Sequence, residues 1–117
     1  MSRGDYSCRM SEATYYVLAA LLDERLHGYG IVKKAAELSG GAVKLTTGTL
    51  YGALDRLAAQ GLVELDGEEE VGGRLRRYYR LTRDGAEAVR AEADRMRRAA
   101  RAVPARGRAA ALEGGAR

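Results

Sequence analysis

At 117 residues the chain has the length of one domain, which argues against a two-domain enzyme with a cleft between its halves. With 46% hydrophobic and 31% charged residues it departs from collagen-like, disordered and membrane compositions, and its longest apolar run, around Val17–Leu22, is well short of the ~20 residues a bilayer requires. Twenty Lys and Arg against sixteen Asp and Glu leave a net charge of +4, a mild excess that favours phosphate-bearing partners, while the single cysteine, Cys8, closes no internal disulfide and fits a reducing, cytoplasmic setting.

Residues 1–10 mix Gly, Ser and charges without a period and read as an arm. Ser11 is an N-cap candidate for a first helix whose positions Thr14, Val17, Leu18, Leu21 and Leu22 recur at helical spacing and which stops near Asp23–Arg25. A second periodic stretch, Tyr29 to Leu38, is closed by Ser39-Gly40-Gly41, where glycine supplies the left-handed conformation of a helix end. Thr46 caps a third helix that runs to about Gln60 with Gly61 just beyond it, and Leu45 and Leu50 have the spacing of a hydrophobic staple.

On a helical wheel Leu50, Ala53, Leu54 and Leu57 share one face of this third helix, and Gly48, Gly52, Asp55, Arg56 and Ala59 share the other. Two glycines in the first turns sacrifice about 1 kcal/mol of propensity each. Such an outer face suits close approach by another molecule.

After Gly61 the period becomes two. Leu62 to Asp66 reads as a strand, Gly67 to Gly73 as a turn, and Leu75 to Leu81 as the returning strand of a β-hairpin. In the second strand Leu75, Arg77, Tyr79 and Leu81 share the core side, leaving Arg74, Arg76, Tyr78 and Arg80 as a cationic outer face. The Glu68-Glu69-Glu70 run reads as a solvated acidic turn that keeps the hairpin tip off DNA. Thr82 then caps a long last helix in which Ala86, Val89, Ala93, Met96, Ala100 and Val103 follow the spacing of a coiled-coil seam, ended by Pro104. The rest of the chain is rich in Ala, Arg and Gly and reads as a tail.

Three short helices followed by a hairpin make the winged helix-turn-helix plan. The expected fold class is mainly α with a small β-hairpin and a long C-terminal dimerisation helix. The corresponding division is an arm at 1–10, the winged unit at 11–81, the dimerisation helix at 82–103 and a tail at 104–117. In this plan the third helix enters the major groove of double-stranded DNA and the hairpin reaches the backbone or minor groove. Lys44, Thr46, Thr47, Thr49 and Tyr51 contribute charge and hydroxyls at the amino end of that helix, Gly48, Gly52, Asp55 and Arg56 lie on its outer face, and Arg74, Arg76 and Arg77 stand on the wing.

The chain resembles the PadR-like transcriptional regulators, especially their short members with one C-terminal dimerisation helix. The strings that carry the resemblance are Thr14-Tyr15-Tyr16-Val17-Leu18, Leu26-His27-Gly28-Tyr29-Gly30-Ile31, Gly48-Thr49-Leu50-Tyr51-Gly52-Ala53-Leu54, Gly61-Leu62-Val63 and Gly73 through Thr82, together covering roughly 11–103. The resemblance implies a homodimeric repressor that reads a pseudo-palindromic operator, its last helix crossing the partner's first and last helices. Tyr15, Leu18, Leu22, Val89, Ala93, Met96, Ala100 and Val103 would then form the interface. It adds Tyr29 as a phosphate contact and implies release by a small-molecule effector. Tyr15, Tyr16 and Met96 are the candidates to line the effector's cavity, although a tyrosine pair on a first helix more often simply fills space. Two features depart from the family pattern: Thr47 stands where Pro is common, and the chain has no Trp for an aromatic stacking pocket.

No nucleophile–base set, phosphate loop or metal cluster emerges, so no enzyme activity, cofactor or metal is expected. His27, the single histidine, reads as structural. The alternative to an operator-binding regulator is a winged-helix module that binds another protein, or a DNA binder without sequence preference.

Overall fold

The computed structural model describes residues 10–105, so most of the expected arm, with Cys8, and the tail from residue 106 lie outside the described residues. Helix α1 spans Glu12–Ala20, and Ser11 caps it by accepting the Thr14 N–H at 3.1 Å. A short strand β1, Leu26–His27, leads into α2, Gly28–Leu38. Helix α2 closes through Gly40 and Gly41 at φ 66° and 90°, the Gly41 N–H reaching back to the Ala36 carbonyl at 2.8 Å. This is the six-residue closure that a left-handed glycine permits.

Helix α3 spans Thr47–Ala59, with Thr46 accepting the Thr49 N–H at 3.1 Å, and it buries Leu50, Ala53, Leu54 and Leu57, the face given by the wheel. Strands β2, Val63–Val71, and β3, Arg74–Leu81, form the hairpin, and β1 pairs with the outer edge of β3 to give a three-stranded antiparallel sheet in the order β1-β3-β2. Leu26 stands opposite Tyr79 and His27 opposite Tyr78. Helix α4, Arg83–Arg101, is capped by Thr82, whose hydroxyl accepts the Gly85 N–H at 3.0 Å.

The core is the set of side chains these elements turn inward: Val17, Leu18 and Leu21 from α1, Ile31 from α2, Leu50, Leu54 and Leu57 from α3, Leu62 and Val63 at the root of the hairpin, and Val89 from α4. Each truncation to Ala in such a core costs about 2–5 kcal/mol for Leu or Ile. The root of the hairpin is also tied by hydrogen bonds. The Thr82 hydroxyl donates to the Gly61 carbonyl at 2.6 Å and the Thr82 N–H donates to the Leu62 carbonyl at 3.1 Å.

The hairpin differs from its sequence reading. The segment expected as a seven-residue turn is mostly strand: only Gly72 and Gly73 turn the chain, with φ of 59° and 79°, the two-residue geometry that matches the twist of antiparallel strands. A bulge between Leu65 and Glu68, with Gly67 at φ 100°, interrupts the alternation and hides the strand from a period-two reading. Leu75, expected on the core side, is 60% exposed: it stands next to the turn, opposite Glu70 rather than a core residue. Tyr78, expected on the outer face, is half-buried against His27, with ring centroids 5.6 Å apart.

Candidate nucleic-acid interface

The start of α3 is exposed from Thr46 to Thr49. Thr46 donates its hydroxyl to Thr49 Oγ1 at 2.9 Å while accepting the Thr49 N–H, which fixes both side chains and leaves the Thr49 hydroxyl proton for another acceptor. A Cβ added at Gly48 would meet nothing within 4 Å, and one at Gly52 would meet only Arg56 Nη1 at 3.7 Å. Neither glycine is required by packing within the chain.

Beside this helix end lies a groove of about 620 Å³ between α2, α3 and the wing. Of the residues expected at the interface, Tyr29, Thr46, Thr47, Tyr51, Arg74, Arg76 and Arg77 line it together. Lys44, Gly48, Thr49, Gly52, Asp55 and Arg56 lie outside its lining: Gly52 is half-buried and the other five are exposed. Tyr29 is 72% exposed, whereas Tyr51 is half-buried with its ring 6.4 Å from that of Tyr79. Burial, then Tyr51, pushes the Tyr79 hydroxyl above its usual 10.0.

The groove also contains His27, which the sequence marked only as structural. Its position directly before the first residue of α2 was the available signal. Burial first, and Arg76 second, lower its pKa below 6.5, with Glu69 opposing. His27 and Arg25 bracket Tyr78: the Arg25 guanidinium sits 4.3 Å from the Tyr78 ring centre and donates to the Asp66 carbonyl at 2.7 Å.

The wing is less cationic than its second strand alone. Arg77 Nε lies 3.3 Å from Glu68 Oε2, Arg80 pairs with Glu64, and Glu69 stands opposite Arg76 while accepting the Tyr78 hydroxyl at 2.7 Å. Only Arg74, opposite Val71 beside the turn, faces no acidic residue across the ladder.

Among the residues expected at a dimer interface, Leu18 and Val89 are buried in the chain's own core and offer a partner no surface. Tyr15, Ala93 and Met96 are half-buried, Leu22 and Val103 are 37% and 68% exposed, and Ala100 is exposed. The inward line of α4 is Gly85, Val89 and Glu92, with Glu92 held by a two-pronged pair to Arg95 at 3.2 and 2.6 Å. Tyr15 and Tyr16 meet edge to face at 5.2 Å. Among the described residues no three His, Cys, Asp or Glu are placed to hold a metal ion, and no helix is long and apolar enough to cross a membrane.

The profile of the transcriptional regulator PadR-like family matches residues 17–91. The chain belongs to the PadR-like family. It is 34% identical over 88 residues to a transcriptional regulator of Mycobacterium tuberculosis, covering 75% of this chain and 78% of the relative. It is 42% identical over 90 residues to an uncharacterized transposon protein of Streptomyces fradiae, covering 77% of this chain and about a quarter, 24%, of that longer protein. Its fold matches that of Bacillus subtilis PadR in complex with operator DNA, with a TM-score of 0.58, 23% identity, and coverage of 66% of this chain and 44% of the other. The PadR-like winged helix is thus the fold, and PadR-like proteins are transcriptional regulators rather than enzymes.

Proposed function

We propose that this PadR-like chain is a homodimeric, sequence-specific DNA-binding repressor released by a small-molecule effector. In this reading residues 11–81 form the DNA-binding unit and residues 82–103 the dimerisation helix. Helix α3 enters the major groove and the hairpin touches the backbone or minor groove. The observation that carries it is the juxtaposition of an α3 face bearing the exposed Gly48 and the half-buried Gly52 with a groove that gathers Tyr29, Thr46, Thr47, Tyr51, Arg74 and Arg76. Hydroxyls and guanidiniums hold phosphates, and a smooth helix face lets the backbone come close to base edges. The exposed Ala100 and Val103 and the partly exposed Leu22 support association with a second copy, and the half-buried Tyr15, Tyr16 and Met96 are the effector candidates.

Fluorescence anisotropy against duplex from the upstream region of the chain's own gene and a scrambled duplex, across a salt series, tests this. Tight, salt-dependent binding that prefers the native sequence is the expected result. Equal, weak binding to both duplexes overturns sequence specificity, and no binding to either overturns the DNA reading. Sedimentation of the same samples reports the dimer, and a compound that weakens operator binding while raising Tm identifies the effector.

A further inference from the structure

We infer that Glu68 and Glu69 of β2 are specificity-determining residues: in the free protein Glu68 pairs with Arg77 and Glu69 stands opposite Arg76, and the two carboxylates so suppress sequence-independent attraction to phosphate. The inference rests on the DNA-binding reading above. Its basis is the pairing across the hairpin. Five carboxylates (Glu64, Asp66, Glu68, Glu69, Glu70) lie on β2, while β3 carries four arginines (Arg74, Arg76, Arg77, Arg80). Two of the four, Arg77 and Arg80, are in ion pairs with the glutamates directly opposite them, Glu68 and Glu64.

Glu68 takes the Nε edge of Arg77, the edge that a phosphate would use, at 3.3 Å. Glu69 is oriented toward the opposite strand by the Tyr78 hydroxyl at 2.7 Å, and Tyr78 is itself fixed between His27 and the Arg25 guanidinium. In the strand register Glu69 stands opposite Arg76. The glutamates are thus placed by the sheet rather than loose in a tip loop.

The physical effect follows from how non-specific affinity arises. Each arginine that neutralises a phosphate releases condensed counterions, and the number of such contacts sets the steepness of the salt dependence. An arginine already neutralised by a carboxylate releases fewer, because phosphate must displace the glutamate, which then repels the backbone. Both side chains of the Arg77–Glu68 pair are about half exposed, so water and salt screen the pair and a well-placed phosphate can exchange for the carboxylate. The base-edge contacts of α3 are untouched by this exchange. The glutamates therefore lower affinity for a scrambled duplex, where no phosphate is held in place to displace them, more than for the native one, where the α3 contacts set the register.

The experiment is anisotropy of the full chain on the native upstream duplex and a scrambled duplex across a salt series. It compares wild type, the double variant Glu68→Gln/Glu69→Gln and the control Glu70→Gln. Glu70 stands opposite Leu75, so the control removes a charge from the same strand without unmasking an arginine. The expected result is a steeper salt slope for the double variant, with the loss of affinity between ~50 and ~200 mM salt deepened by about threefold per released arginine. Binding to scrambled DNA rises, and the native-to-scrambled ratio falls. Arg77→Ala then weakens binding more in the Glu68→Gln background than in wild type. A gain per charge equal to that of Glu70→Gln overturns the inference, since long-range charge would explain it. So does an unchanged slope or a loss of binding in the double variant. If wild type binds neither duplex, the DNA reading itself fails, and that result is separate from all of these.

Discussion

The hydroxyl of Tyr51 on α3 lies against Gly28, the first residue of α2, so closely that a Cβ at Gly28 would stand 2.4 Å from it. The side chain that lines the candidate interface is therefore seated by the absence of another. Gly28→Ala is expected to displace the Tyr51 ring, lower stability by about 2 kcal/mol as an overpacking change and weaken DNA binding. Tyr51→Phe removes the nearest clashing atom and should recover part of the lost stability in the double variant. Thermal denaturation of the four proteins checks this.

Gly85 presents the same problem with a stiffer neighbour. A Cβ there would stand 2.0 Å from the carbonyl oxygen of Leu62, a backbone atom at the buried root of the hairpin. Gly85→Ala is expected to cost about 3 kcal/mol or more, exceeding Gly28→Ala, because no side-chain rotation relieves it. Urea midpoints decide the order, and equal midpoints would contradict the close packing of α4 on Leu62.

At Gly52 stability and function should move in opposite directions. The added Cβ makes only an ordinary contact, 3.7 Å from Arg56 Nη1, so Gly52→Ala is expected to stabilise the isolated protein by up to about 1 kcal/mol through helix propensity. If DNA bases approach this face, the same change weakens operator binding. A rise in Tm with unchanged operator affinity would remove Gly52 from the interface.

His27 gives a pH dependence of defined sign. Burial, then Arg76, holds its pKa below 6.5 in the folded chain, so the fold prefers the neutral ring. Between the lowered value and 6.5 the unfolded chain binds a proton that the folded chain does not, and stability rises with pH across that window. The destabilisation is complete below the folded pKa and absent above the unfolded one. Urea midpoints measured from about pH 5 to 8 should show this rise. His27→Gln should flatten it.

The helices were legible because their signals are local. Ser11, Thr46 and Thr82 were readable as caps, and each accepts the expected N–H at 3.0 to 3.1 Å. The core face of α3 followed from a period of 3.6 residues alone. Strand β1 was not legible, because two residues carry no period and Leu26–His27 is a strand only through pairing with β3. The length of β2 was hidden by Gly67 and three successive glutamates, which locally resemble a turn; only the ladder pairing with Leu75, Arg76 and Arg77 of β3 makes the segment a strand. At the interface, the sequence identified the arginines, but the carboxylates that hold them become visible only with the register. The burial of Leu18 and Val89 likewise follows from where α1 and α4 cross, which helical spacing does not specify.

The two hydrogen bonds from Thr82 to Gly61 and Leu62 join the chain's entry into the hairpin to its exit, at the residue that also caps α4. Hairpin and helix thus share a fulcrum. With only Thr82 between the end of β3 and the start of α4, there is no slack in which a rotation of the helix could dissipate. Helix α4 is about 28 Å long, and its first turn is anchored at the same residue that closes the base of the wing.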